Sequence, residues 1–255
     1  MSDAPLTDRV AIVTGAGQGI GRGIALALAK AGAAVVVAEI NDETAAETVR
    51  LIEAVGGSAT AIHTDIMDAE SIANCVHKSI EAYGAINILV NNAIKTTPNI
   101  PLAEMSDSIF IESLQSGVIA TMRFMRDAYP YLKQGGNGRV INLRSGSELS
   151  GLPGLAAYVA TKSGIAGLSR VGAKEWGDDG ITVNAIMPFS LNAGSQKWFD
   201  ENPEAGKSVM SGLAVKRSGD PEKDMGHAVV FLADPRSGYI TGLTMTVDGG
   251  GQLIA

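Results

Sequence analysis

Three side chains have types and spacing suited to moving a proton. Tyr158 and Lys162 lie four positions apart in a stretch that reads as helix, so they share one face of it. An ammonium beside a phenol favours phenolate and draws its pKa down from about 10. The expectation is a tyrosine that serves as general acid toward a ketone or general base toward an alcohol. Ser145 follows the strand-like run Arg139–Leu143, at the sheet edge where ligands gather in open α/β folds. Its hydroxyl can polarise a substrate oxygen as charge develops. Ser147 is a rival for that task, and either serine could be only a turn residue. The Tyr-x-x-x-Lys spacing alone is common on helix surfaces, so its weight comes from its partners.

A second group of residues suits a dinucleotide. Thr14-Gly15-Ala16-Gly17-Gln18-Gly19-Ile20-Gly21 joins a predicted strand to a predicted helix. Gly15, Gly19 and Gly21 permit a tight turn and close backbone approach to a pyrophosphate. Gln18 and Ile20 complete the helix N-terminus that faces its charge. An ordinary glycine-rich turn is the plain alternative, and the strand–loop–helix context argues against it. Glu39, twenty positions beyond Gly19, can accept hydrogen bonds from the adenosine ribose hydroxyls and would repel a 2′-phosphate. No Arg or Lys lies within Gly15–Gly21 or directly follows Glu39, so NAD is favoured over NADP. Asp65, with Ile66 beside it, is placed to meet the adenine edge, or else simply starts a turn.

The elements that must position these residues alternate regularly. Val10–Thr14, Ala34–Glu39, Ala59–Thr64 and Ile86–Val90 read as buried strands. Helical stretches Ile20–Ala31, Asp42–Val55 and Ala69–Tyr83 lie between them, with glycines at their ends. The alternation continues through a long helix at Asp107–Leu132, the strand Arg139–Leu143 and a helix at Leu155–Trp176. It closes with strands at Thr182–Ile186 and Leu243–Val247 around a helix at Glu222–Leu232. Right-handed crossovers make this one Rossmann-type, doubly wound parallel sheet of about seven strands, with helices on both faces and a single domain over residues 1–255. Residues 188–217 are the least regular part and are expected to cover the substrate.

Composition narrows the partners. A net charge of −7 disfavours nucleic acid and anionic membrane surfaces, which require clustered cations. Cys75 is the single cysteine, so no internal disulfide forms. The polar start of the chain lacks a secretory apolar run and no stretch is long enough to span a bilayer, which points to the cytoplasm. His63, His77 and His227 have no metal-ligand spacing, so no metal is expected.

Taken together, these pieces resemble the short-chain dehydrogenase/reductase family. The matching segments are the Thr14–Gly21 loop, Asp65, Asn91-Asn92-Ala93, Ser145, Tyr158 with Lys162, Asn184 through Pro188, and Tyr239–Gly242 through Asp248–Gly250. The resemblance implies hydride exchange between a nicotinamide cofactor and a small carbonyl or alcohol. Tyr158 would exchange the proton, Ser145 hold the carbonyl oxygen, and Lys162 bind the ribose and tune Tyr158. It also implies that Asn92, Ala93, Tyr158, Lys162 and Pro188 lie beside the cofactor, and that the chain forms a homotetramer through its two long helices.

Several positions depart from the family pattern. Gly117 stands where an asparagine usually supports a proton relay behind the lysine, with Ser113, Gln115 and Ser116 nearby. Ile94 and Phe189 replace glycines and add apolar bulk suited to substrate contact, and Ala193 replaces a frequent threonine. Trp198 and Phe199 either close over an apolar substrate or anchor the loop. Arg144 is read as solvent-facing in preference to an anion contact. The favoured function is an active carbonyl reductase or alcohol dehydrogenase. The alternatives are a catalytically weak NAD-binding sensor or assembly protein, and a non-redox epimerase or dehydratase using the same cofactor site.

Overall fold

Short β-branched runs bounded by glycine fold as strands buried on both faces. The computed structural model describes residues 4–191 and 199–252. All five residues of β1, Val10–Thr14, are buried. Ala11 and Val13 point into one apolar layer while Ile12 points into the other, so the run shows no polar alternation. The remaining strands are β2 (Ala34–Glu39), β3 (Ser58–His63), β4 (Ile88–Asn91), β5 (Arg139–Leu143), β6 (Thr182–Pro188) and β7 (Thr244–Val247). They form one parallel sheet in the order β3-β2-β1-β4-β5-β6-β7. The chain winds outward from β1 to β3 and then crosses back to β4. The loops after β1 and β4 therefore part, leaving a crevice at the C-terminal edge.

Helices α1 (Gly19–Lys30) and α2 (Asp42–Ala54) cover one face together with α9 (His227–Ala233), through Ile24, Leu28, Ile52, Val229 and Leu232. Helices α3 (Ala69–Tyr83), α5 (Ala120–Gln134) and α7 (Ala156–Glu175) cover the other, through Ile72, Val76, Phe124, Leu132 and Ala173. Local chemistry sets the ends: Asn41 accepts the amides of Glu43 and Thr44 to cap α2, and Gly84 stops α3 with a φ of 74°. The seven-stranded, doubly wound fold expected from the sequence is the fold observed.

Three local expectations need correction. The helix expected over Asp107–Leu132 is α4 (Asp107–Leu114), then a wide π-type turn at Gln115–Ile119, then α5. Hydrophobic periodicity does not reveal such a turn, because the backbone stays helical through it. The helix expected from Glu222 likewise opens with a wide turn, Pro221–Gly226, which α1 approaches closely: a Cβ on Gly23 would lie 2.3 Å from Pro221 backbone. The irregular region 188–217 contains a helix, α8 (Pro203–Gly212), begun by proline in its first turn. Residues 192–198, and with them Trp198 and Ala193, lie outside the described residues.

Candidate active site

The glycine loop is shaped by close contacts. Gly15 and Gly19 adopt φ of 63° and 55°, a region that L side chains rarely occupy. A Cβ on Gly21 would lie 2.1 Å from the carbonyl oxygen of Gly15, so the loop closes on itself only with glycine there. The first turn of α1 carries no side-chain cap from Gln18, whereas Asn41 and Asp68 cap α2 and α3. Its amides therefore remain as donors at the crevice. Ile20 anchors the turn by packing on the core.

Glu39 reaches from the end of β2 to this loop. Its Oε2 accepts the Gly17 amide at 2.9 Å, and its Oε1 accepts the amides of Ile40 (2.9 Å) and Asn41 (3.2 Å). Arg22, one position beyond the loop, is the nearby cation the sequence reading passed over. Its Nε donates to Thr48 Oγ1 at 3.0 Å and its Nη2 donates to the carbonyls of Gly17 and Thr44. The guanidinium is thus bound to the loop backbone. Asp65 does start a turn, accepting the Met67 amide at 2.8 Å, while Ile66 packs against the α3-side core.

Across the crevice, Thr14 organises the ends of β1 and β4. Its hydroxyl accepts the amides of Asn92 and Ala93, both at 3.0 Å, and Asn92 Nδ2 donates back to the carbonyls of Thr14 (2.8 Å) and Gly15 (3.1 Å). Asn92 therefore braces the glycine loop. Ile94 follows, half-buried. At the far side, Pro188 ends β6 opposite Val247, and the Phe189 backbone bonds to Val247 and Gly219.

Ser145, Tyr158 and Lys162 converge where β5 ends. The Ser145 and Ser147 hydroxyls, both considered for the substrate oxygen, lie 2.7 Å apart. Lys162 is buried in α7 and its Nζ donates to the Leu143 carbonyl at 2.8 Å, two residues before Ser145. Burial lowers its pKa to about 8, against an opposing pull from Glu148. The ammonium lies 5.7 Å from the centroid of the Tyr158 ring.

The direction at Tyr158 is opposite to the lowering expected from a neighbouring ammonium. Part of the Tyr158 ring reaches solvent, yet desolvation of its hydroxyl dominates and raises its pKa. Contact with Ser145 opposes the rise and the charge of Glu148 adds to it. Arg144 also departs from expectation: its side chain is only 13% exposed and pairs with Glu148 in the short helix α6 (Ser147–Ser150).

Gly117 lies inside the wide turn and faces Thr161, the residue before Lys162. Ser113 and Thr161 hydroxyls meet at 2.9 Å in full burial, joining α4 to α7. Ser116 instead turns its hydroxyl to the Ser113 carbonyl at 3.2 Å. A further buried chain escaped sequence reasoning: Asn91 Nδ2 donates to Asn142 Oδ1 (2.8 Å), and Asn142 Nδ2 donates to Ser169 Oγ (2.9 Å). A polar residue at the centre of an apolar strand was the available signal. Among the described residues, no group of three or more His, Cys, Asp or Glu could hold a metal ion, and no helix is long and apolar enough to cross a membrane.

Comparison with known proteins agrees with this architecture. A family model described as enoyl-(acyl carrier protein) reductase matches residues 15–252. A 12alpha-hydroxysteroid dehydrogenase from Clostridium sp. (strain ATCC 29733 / VPI C48-50) is 38% identical over 249 residues, covering 95% of this chain and 96% of that protein. An A-factor type gamma-butyrolactone 1′-reductase (1S-forming) from Streptomyces virginiae is 31% identical, with 96% of each chain covered. The solved structure of a 7α-hydroxysteroid dehydrogenase complexed with NADH and 7-oxo glycochenodeoxycholic acid is similar with a TM-score of 0.92. It is 30% identical, and the match covers 98% of this chain and 97% of that one. The chain belongs to the short-chain dehydrogenase/reductase family and is an oxidoreductase of that type, acting in hydroxyl–carbonyl chemistry.

Proposed function

We propose that this enzyme interconverts a ketone or aldehyde and the corresponding alcohol with NAD(H), Tyr158 giving or taking the proton at the substrate oxygen. The observation that carries this reading is the convergence of Ser145, Tyr158 and Lys162 on the end of β5. A phenol held protonated by burial suits proton donation to a carbonyl oxygen. The paired Ser145 and Ser147 hydroxyls supply donors for that oxygen as negative charge grows on it.

The residues present fit a nicotinamide dinucleotide. The uncapped N-terminus of α1 and the open space beside Gly19 suit a pyrophosphate. Glu39 would take the adenosine ribose, with Asp65 and Ile66 near the adenine. Asn92, Ala93, Tyr158, Lys162 and Pro188 would line the nicotinamide half. Glu39 beside Gly17, and an Arg22 already bound to backbone, favour NAD over NADP. When bound, the cofactor supplies or accepts the hydride. Lys162 keeps a buried positive charge beside the tyrosine ring.

Residues 188–217, including α8, are the proposed substrate cover, with Ile94 and Phe189 on the substrate side. Exposed Leu149 and Leu152 near the serines, together with the names of the relatives, favour cyclic apolar substrates such as hydroxysteroids. A homotetramer through α5 and α7 is supported by an apolar groove lined by Met122, Tyr129, Leu168, Val171 and Trp176. The test is a screen of NADH and NADPH oxidation over cyclic, steroidal and aromatic ketones, with Tyr158→Phe alongside. Tyr158→Phe should keep NADH binding and lose nearly all turnover; a variant matching the parent on every substrate would remove the assignment. Saturable NADH binding without any turnover would favour the sensor reading, to which Gly117 lends its support.

A further inference from the structure

The glycine between the two serines has no conformational reason to be glycine. Gly146 sits at φ −60° and ψ −23°, which any residue adopts. What excludes a side chain is the turn that follows β7: a Cβ on Gly146 would lie 2.9 Å from Gln252 Cγ and 3.5 Å from its Cδ and Nε2. Gln252 is held there by Asp248, a buried carboxylate. Asp248 Oδ1 accepts the Gly250 amide at 3.0 Å, and its Oδ2 accepts the Gln252 amide at 2.7 Å. Gly249 and Gly250 take left-handed φ of 64° and 78° to make the bend. The other side of the bend rests on residues 213–215, at the end of α8. Val215 donates its amide to the Gly249 carbonyl at 2.8 Å, and a Cβ on Gly250 would meet Ala214 Cβ at 2.8 Å. The turn is therefore wedged between the serines and α8, and the Gln252 backbone withdraws from Gly146 only by breaking these contacts.

We propose that Gln252 is a positioning residue: packed along Gly146, it fixes the turn that carries Ser145 and Ser147, so that their hydroxyls stand where the substrate oxygen is received. The consequence rests on the reading of these serines as donors to that oxygen. The bonds that Ser145 makes within the turn are long. Its Oγ accepts the Ser147 amide at 3.3 Å and its carbonyl accepts the Glu148 amide at 3.2 Å, against a usual N–H···O distance of about 2.9 Å. Arg144 and Glu148 tie the two ends of the turn together, and Gln252 covers its middle. Packing from outside thus sets the orientation that internal bonds leave loose. A donor aimed at developing charge loses much of its effect when it is misplaced by less than about 1 Å. Because the same wedge touches residues 213–215, the serines and the proposed substrate cover are set against one common element.

The test reads the serine turn directly. Protein labelled with 13C at glycine carbonyls and 15N at serine amides shows only its Gly–Ser peptides, Gly57-Ser58, Gly146-Ser147 and Gly194-Ser195. The Ser147 signal is identified by its loss in Ser147→Ala. That amide donates to Ser145 Oγ, so its shift reports where the hydroxyl stands, without cofactor or substrate. Gln252→Ala is expected to move the Ser147 signal and to leave Ser58, at the start of β3, in place. It should lower reductive kcat about tenfold with the NADH dissociation constant unchanged. Gly146→Ala should likewise lower kcat, and adding Gln252→Ala to it makes space for the new methyl and should raise kcat again. A Ser147 signal at the parent position in folded Gln252→Ala would overturn the proposal. So would an unchanged kcat, or losses that simply multiply in the double variant. Should Gly146→Ala not fold, the Ser147 signal and kcat of Gln252→Ala decide alone. Absence of turnover in the parent would count against the redox reading only, because the cofactor-free signal still decides the placement of the serines.

Discussion

A side chain at Gly117 would collide with Thr161: a Cβ built there lies 2.0 Å from the Thr161 Cγ2. The glycine is therefore matched to the methyl group of its neighbour, and the usual family asparagine would not fit without displacing the residue before Lys162. Alanine for glycine inside a helix ordinarily stabilises by about 1 kcal/mol. Gly117→Ala should instead destabilise, by about 1–3 kcal/mol from overpacking. Thr161→Ser removes the methyl while keeping the hydroxyl that meets Ser113. In that background Gly117→Ala should become neutral or stabilising, a sign change that urea unfolding of the double-mutant cycle would reveal.

Lys162 should make stability depend on alkaline pH. Its folded pKa is lowered to about 8 by burial, from 10.5. Between those values the unfolded chain binds more protons than the folded one, so this contribution to stability rises with pH. Below pH 8 the buried charge costs its full amount. Lys162→Met removes the cost, and its stability relative to the parent should be greatest there. That relative advantage should shrink by up to about 3 kcal/mol as pH rises toward 10.5. Unfolding measured at pH 7.5 and pH 10 checks it; a gap independent of pH would contradict the burial argument.

Glu39 should govern cofactor choice. Its carboxylate holds the Gly17 amide, and a 2′-phosphate brought near it would be repelled. Glu39→Gln keeps an acceptor for Gly17 but removes the charge. The ratio of kcat/KM for NADPH over NADH should rise about tenfold or more, equivalent to ~1.4 kcal/mol of differential binding. An unchanged ratio would place cofactor discrimination elsewhere.

Cys75 should behave as a sensor of unfolding. It is fully buried, and burial pushes its thiol up to about 11, with Thr64 and Ser79 opposing the rise. At pH 8 a disulfide reagent should leave the native protein untouched and should modify one thiol per chain in denaturant. Rapid reaction without unfolding would show that α3 opens locally.

Strand and helix order was legible because burial on both sheet faces leaves uniform apolar runs, as at Val35–Val37, with glycine at the ends. The glycine loop was legible for a similar reason, since close backbone approach permits few residue types. The wide turn at Gln115–Ile119 was hidden, because it changes hydrogen bonding without breaking helical dihedrals. The helix α8 was hidden by its short amphipathic pattern inside a region poor in other signals.

By itself the sequence determined the parallel sheet, the crevice beside β1 and β4, and the residue types that gather there. Tertiary structure alone decided how those types interact. Tyr158 and Lys162 share a helix face in either view, yet burial raises the pKa of the one and lowers that of the other. The same holds for Arg144, whose partner and burial follow from the turn after β5. Spacing along the chain specifies which groups can meet. The depth at which they meet, and the charges enclosed with them, arise only when the sheet, α6 and α7 close together.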